Sequence, residues 1–350
     1  MIDVLIAENC ASWRALSVAI LQGDPLLRIV GMAGDGAEAV KLTAKLKPDI
    51  IVMGSQLPGM GCFEATRKIM TESPTPIVMV ISGEKATADE EVVWVQALSA
   101  GALKIVHNPG SCTGADFEAV SREFARTLKA LSSVKVVHCR TLVPASPDSD
   151  RISRCPSVSR ARARVITIAC STGGPPALAN IFSRLPADLP VPVLVVQHIT
   201  RGFLPVLADQ LKASGALKVK VAQAGEPALP GTIYLGPDEA HMGISRGRTI
   251  ILSNTAPINN FRPSANYLFN SAAESYGSAA AAVVLTGMGS DGVDGLKSIR
   301  GRGGRIIVQD QESSIVFGMP GSAIASGLAD LVLPLDLIAR HLLEIVDYGI

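Results

Sequence analysis

Val165-Ile166-Thr167-Ile168-Ala169-Cys170-Ser171-Thr172-Gly173-Gly174-Pro175-Pro176 is the stretch on which the reading of this chain turns. Residues Val165 to Ala169 are uncharged and mostly β-branched, as in a strand buried on both faces of a parallel sheet. A small-residue turn follows, then two prolines and Ala177-Leu178-Ala179-Asn180, the opening of a helix. A serine on such a turn lies at the carboxyl edge of the sheet, where open α/β folds bind ligands. The helix amino terminus and the amides of Gly173 and Gly174 favour negative charge at that spot. Ser171 is therefore a candidate nucleophile. The same residues also suit a phosphate-binding turn or plain turn chemistry, and this stretch alone leaves all three open.

Composition frames that strand. A chain of 350 residues is long enough for two domains. Hydrophobic content of 48% with 18% charged residues describes a globular core. A formal net charge of +1 offers no global field for nucleic acid or an anionic membrane. The apolar runs are strand length and interrupted, so no direct membrane insertion is expected. Met1-Ile2-Asp3-Val4 lacks a basic n-region and a cleavage site, so a cytoplasmic location is expected. Cys10, Cys62, Cys112, Cys139, Cys155 and Cys170 form no CxxC pair. Neither a zinc site nor a disulfide framework follows from them, and no metal or cofactor is expected. Cys170 reads as packing, since a nucleophilic thiol needs a thiolate-stabilising partner.

Residues 1 to about 130 alternate apolar runs with helical patterns. Strands are expected at 3–6, 27–31, 49–53, 76–81 and 102–107. Helices are expected at 12–21, 37–46, 62–70, 89–101 and 117–131. That alternation predicts a doubly wound parallel sheet. Ala33-Gly34-Asp35-Gly36-Ala37-Glu38-Ala39, Lys47-Pro48-Asp49, Leu57-Pro58-Gly59-Met60, and Gly101-Ala102 followed by Asn108-Pro109 stand at its junctions. On these landmarks the half resembles the receiver domain of two-component response regulators.

The resemblance implies an acidic pair after strand one, a phospho-accepting aspartate after strand three, a hydroxyl after strand four and a lysine before the last proline. At those positions this chain has Glu8 and Asn9, Gly54, Ile81 and Asn108. Glycine cannot accept a phosphoryl group, and a lone carboxylate is a poor Mg²⁺ site. Ser82 is a neighbouring hydroxyl, but Val52 to Gly61 contains no aspartate. The expectation is a degenerate receiver, not phosphorylated by the usual route, in which a partner rather than phosphate is the switch. A chemotaxis histidine kinase or another regulator docking on it is the partner the resemblance implies.

From Lys135 to Arg164 seven basic residues face Asp148 and Asp150, a net of +5, among prolines and serines. This reads as an interdomain linker, with contact to an acidic surface as the functional alternative. The expected layout is a receiver-like domain at 1–131, a linker at 132–164 and a larger catalytic domain at 165–350. In that last domain strands are expected at 192–196, 218–221, 231–235, 249–252, 280–285 and 305–308. The three shorter ones, from 218 to 252, are expected to form an antiparallel excursion.

Ser171, His198 and Asp291 fall just past three of the expected parallel strands. Such ends share one rim, so residues far apart in sequence can meet there. A serine attacks, a histidine takes its proton, and a buried carboxylate fixes the tautomer and stabilises the imidazolium. The chain order Ser, His, Asp differs from the Ser, Asp, His order of α/β-hydrolases. Each member has a second reading: His198 as a satisfied core histidine, Asp291 as the cap of the helix after it, Thr286-Gly287-Met288-Gly289 as a plain turn. The amides of that turn also suit an oxyanion.

Residues 165–345 resemble the catalytic domain of chemotaxis protein-glutamate methylesterases. The matching stretches are Ser171-Thr172-Gly173-Gly174-Pro175, Gln197-His198, Gly202-Phe203, Leu229-Pro230-Gly231 with Tyr234, Arg262-Pro263-Ser264, Leu285 to Gly289 with Asp291-Gly292, and Val316 to Pro320. The resemblance implies hydrolysis of glutamate γ-methyl esters on methylated chemoreceptors, releasing methanol, and deamidation of receptor glutamines. It assigns Ser171 as nucleophile, His198 as base and then acid, and Asp291 as orienting carboxylate. Thr172, Gly173 and Met288 fall in the oxyanion or substrate vicinity. This chain departs from the family at Ala169-Cys170 (usually Gly-Ala), Phe261 (usually His) and Asn266 (usually Asp). No departure removes a triad member, so an active enzyme is expected. The alternative is a non-catalytic receptor-binding protein that keeps the fold.

Overall fold

The structure, a computed structural model, describes residues 1–81, 93–94, 96–98, 100–108, 115–132, 134, 136 and 161–346. It divides into two compact units, Met1–Val143 and Pro144–Ile350. The expectations for Ser82, Cys112, Cys139, Cys155, most of the linker and part of the 89–101 helix lie outside the described residues.

In the first unit β1 (Ile2–Ala7), β2 (Leu27–Ala33), β3 (Ile50–Gly54), β4 (Ile77–Ile81) and β5 (Lys104–His107) form one sheet in the order β2-β1-β3-β4-β5. All four pairings are parallel. β3 and β4 are buried along their whole length because helices cover both faces, which is why they read as unbroken apolar runs. Helix Gly36–Leu46 starts where Asp35 accepts a hydrogen bond from the Glu38 amide. The strand order reverses between β1 and β3, so the switch point lies where Glu8 and Gly54 emerge.

The second unit is built on a seven-stranded parallel sheet, order β14-β13-β12-β6-β7-β9-β8. Its strands are β6 (Val165–Cys170), β7 (Val193–Gln197), β8 (Lys218–Val221), β9 (Thr232–Leu235), β12 (Ala280–Val284), β13 (Arg305–Gln309) and β14 (Leu331–Leu333). β6 shows how the core divides. Ile166, Ile168 and Cys170 point into one apolar layer with Leu178, Ile181, Leu207 and Leu342. Val165 and Ala169 point into the other with Leu268, Phe269, Leu296 and Met319. Each fully buried aliphatic side chain contributes about 1.5–3 kcal/mol. The order reverses between β6 and β12, which puts the switch point beside Ser171.

One expectation is corrected. β8 and β9 are not antiparallel; they pair parallel with each other, and β9 pairs parallel with β7, extending the main sheet. The antiparallel excursion is β10 (His241–Ile244) with β11 (Ile250–Ser253). The Lys-Val-Lys-Val alternation of β8 is that of a half-buried edge strand, which does not reveal pairing direction. β10 carries His241 and Gly243 and so lacked a strand signature.

Candidate active site

Ser171 leaves β6 one residue after the Cys170–Gln197 pairing, and His198 leaves β7 at the same level. The His198 amide donates to the Cys170 carbonyl (2.9 Å), so the two strand ends stay joined up to Ser171 and His198. Gln197 clamps them. Its Nε2 donates to the carbonyls of Ser171 (2.8 Å) and His198 (2.9 Å), and its Oε1 accepts the Cys170 thiol (3.0 Å). Burial pushes that thiol well up, so it stays protonated and donates, the packing role expected of it.

The serine turn needs glycine at two places. Gly173 has φ +79, and a Cβ there would stand 2.8 Å from Ile315 Cβ. At Gly287 a Cβ would stand 2.8 Å from Ser171 Cβ, so the 286–289 turn lies against the serine. Thr286 staples the two turns. Its carbonyl accepts the Ser171 amide (3.1 Å) and its hydroxyl donates to the Thr172 carbonyl (2.9 Å). The amides of Thr172 and Met288 lie in these turns with no acceptor among the described residues, and Met288 is exposed.

Asp291 is 3% exposed. Its Oδ1 accepts the Ser264 hydroxyl (2.8 Å) and the Asn266 amide (3.4 Å), and its Oδ2 accepts the Ala265 amide (2.7 Å). It does cap a helix, but that helix is Ala265–Tyr276, whose N-cap is Ser264, not the one that follows it in sequence. Burial pushes the carboxyl up, but His198, the Ala265 amide and Ser264 outweigh it and hold it below its ordinary value.

His198 Nε2 lies 3.0 Å from Asp291 Oδ2. The approach is oblique, a close polar contact rather than an in-line hydrogen bond. A proton on Nε2 would face that carboxylate. Nδ1 is buried without a hydrogen-bond partner. The Phe261 ring stacks on the imidazole, with centroids 4.3 Å apart and planes 12° from parallel. The fold thus brings Ser171, His198, Thr172, Gly173 and Met288 to one rim and joins Asp291 to His198. Gln197, Thr286 and Ser264 were missed as positioning residues. Of the three, Gln197 alone is a chain neighbour of a triad candidate, His198.

The first unit has its own rim, and it is filled differently. A Cβ built on Gly54 would overlap Glu8 Oε2 and stand 2.9 Å from Glu8 Cδ. Glu8 is 6% exposed, and its Oε1 accepts the Cys10 amide (2.8 Å). Burial pushes its carboxyl up. Ile81 is buried, and Asn108 donates its amide to the Ile81 carbonyl (2.9 Å). Among the described residues no group of three His, Cys, Asp or Glu side chains could hold a metal ion. No described helix is long and apolar enough to cross a membrane.

Two family models match the chain. Residues 166–342 match the CheB methylesterase model and residues 4–112 the response regulator receiver domain. A protein-glutamate methylesterase/protein-glutamine glutaminase of Myxococcus xanthus is 45% identical over 97% of this chain and 95% of its own. One from Anaeromyxobacter dehalogenans is 43% identical over 98% of each. The crystal structure of the Thermotoga maritima CheB methylesterase catalytic domain shares 41% identity at a TM-score of 0.51. It covers 53% of this chain and 99% of its own.

Proposed function

Because the chain belongs to the CheB methylesterase family, we propose that it hydrolyses glutamate γ-methyl esters on chemoreceptors through Ser171, His198 and Asp291. The observation that carries the reading is the His198–Asp291 pair: a carboxylate with three protein donors on one ring nitrogen, and an unpartnered Nδ1 on the strand end next to Ser171.

In the first half-reaction Ser171 Oγ attacks the ester carbonyl carbon while its proton moves to His198 Nδ1. Asp291 stabilises the imidazolium through Nε2. Negative charge collects on the former carbonyl oxygen, where the Thr172 and Met288 amides offer donors. Collapse breaks the bond to the methoxy oxygen, which takes the proton from His198 and leaves as methanol. Water then repeats the attack on the acyl-serine, passing its proton to His198 and on to Ser171 Oγ, and releases glutamate. With a glutamine side chain the same steps expel ammonia, matching the second activity in the relatives' names.

We further propose that regulation does not run through aspartyl phosphorylation. Position 54 has no carboxylate, and Glu8 fills the space a side chain there would take. A regulator docking on the first unit is the switch that reading leaves.

Methanol release from a methylated receptor cytoplasmic domain tests the first proposal. Ser171→Ala is expected to lower kcat by about 10⁴-fold or more while the thermal melt is unchanged. Equal rates in the two proteins would refute the assignment. Incubation with acetyl phosphate and Mg²⁺ tests the second, since acid-labile phosphate on the first unit would overturn it.

A further inference from the structure

We propose that Phe261 is a positioning residue for the triad: its ring sets the plane of the His198 imidazole and favours the imidazolium formed in each half-reaction. The inference rests on the triad reading above.

The local chain explains how a half-exposed aromatic can do this. Ile258 and Phe261 close a two-residue turn, with the Phe261 amide donating to the Ile258 carbonyl (2.9 Å) and the return bond at 3.1 Å. The central residues, Asn259 and Asn260, both have positive φ, +50 and +68. Asparagine tolerates that region better than most residues, so the turn is encoded locally. Three residues further on, Ser264 binds Asp291 Oδ1 and caps the next helix. One short segment, 258–264, therefore delivers both the ring that lies on His198 and the hydroxyl that holds its carboxylate.

The geometry suits that role. Centroids 4.3 Å apart with planes 12° from parallel put the aromatic face against the imidazole face. The Nε2 contact is oblique, so Asp291 alone does not fix the rotation of the ring. A parallel stack supplies the missing constraint and leaves both nitrogens at the ring edge, free for Asp291 and for Ser171. The negative quadrupole of a phenyl face attracts a cation more than a neutral ring, so the stack strengthens as positive charge develops on His198. An interaction stronger in the transition state than in the ground state raises kcat rather than lowering KM. An aliphatic side chain of similar volume would fill the space without the quadrupole.

The test uses the full-length chain with Phe261→Leu and Phe261→Tyr. Phe261→Leu is expected to lower kcat for methanol release about 3- to 30-fold with KM held within about two-fold. Phe261→Tyr, which keeps the ring, is expected to recover most of that loss. Independently of turnover, the carbon-bound ring protons of His198 (assigned with His198→Gln) should be displaced upfield by the phenyl ring current. The displacement should vanish in Phe261→Leu and return in Phe261→Tyr. The same signals read in Ser171→Ala separate the two claims: methanol release surviving there refutes the triad, while the ring-current shift still reports the stack. Full kcat in Phe261→Leu overturns the inference. So does a rise in KM at constant kcat, which would make Phe261 a substrate contact, or an absent ring-current shift in the unmodified protein.

Discussion

Two buried carboxylates stand at the switch points of two parallel sheets, and their pKa values are shifted in opposite directions. Asp291 is ringed by the Ser264 hydroxyl, two helix-terminal amides and His198, and its carboxyl sits below the ordinary range. Glu8 is almost as buried but accepts one well-formed amide bond, from Cys10, and its carboxyl is pushed up. Burial is common to both, so burial does not decide the direction of the shift. The number of donors does. The carboxylate that is kept ionised anchors an imidazole. The other plugs the space where a side chain at position 54 would stand.

The contrast breaks first on activity. Asp291→Asn is expected to lower kcat for methanol release about 10⁴-fold by presenting the wrong partner to Nε2. Glu8→Gln should leave kcat within about two-fold, since Glu8 lies in the other unit. Comparable losses in the two variants would erase the distinction. Packing comes next. Gly54→Ala forces a methyl against the Glu8 carboxyl and is expected to destabilise the first unit by about 1–3 kcal/mol in urea melts. In a Glu8→Ala background most of that cost should disappear, and a cost that stays additive would show that Glu8 does not fill the site.

A smaller effect is expected from Ser264→Ala, which removes one donor from Asp291 and one helix cap. The second unit should lose about 1–2 kcal/mol, read from its urea midpoint. The least effect is in pH dependence, and its sign differs between the units. The lowered pKa of Asp291 contributes stability above its unfolded value, about 3.9, and that stability is lost as pH falls through the folded value. The raised pKa of Glu8 contributes stability below its unfolded value, about 4.3, lost as pH rises through the folded value. Glu8→Gln should therefore raise the melting temperature of the first unit at pH 8 and change it little at pH 4. A difference that grows toward acid would contradict the assignment.

Much of the fold is legible in the chain because parallel strands covered on both faces must be apolar throughout. β3, β4 and β12 announce themselves in that way, and β1, β6, β7 and β13 do so but for one or two polar residues each. The serine turn is legible for the same kind of reason, since close approach at Gly173 and Gly287 demands glycine. Edge elements are not. The alternation in β8 fits either pairing direction, and β10, with His241 and Gly243, is too mixed to stand out. Long-range polar partners are harder still. Nothing local says that Asp291 caps a helix beginning 26 residues before it, or that Gln197 clamps two strand ends.

By itself the sequence determined the alternating α/β plan, the candidate triad residues and the absence of an aspartate at position 54, because periodicity and residue identity are local properties. The tertiary structure alone decided which ring nitrogen of His198 meets the carboxylate, how many donors hold Asp291, that Phe261 lies on the imidazole and that Glu8 fills the space beside Gly54. Those are contacts between segments far apart in the chain. Their geometry follows from strand order and loop path, which composition does not encode.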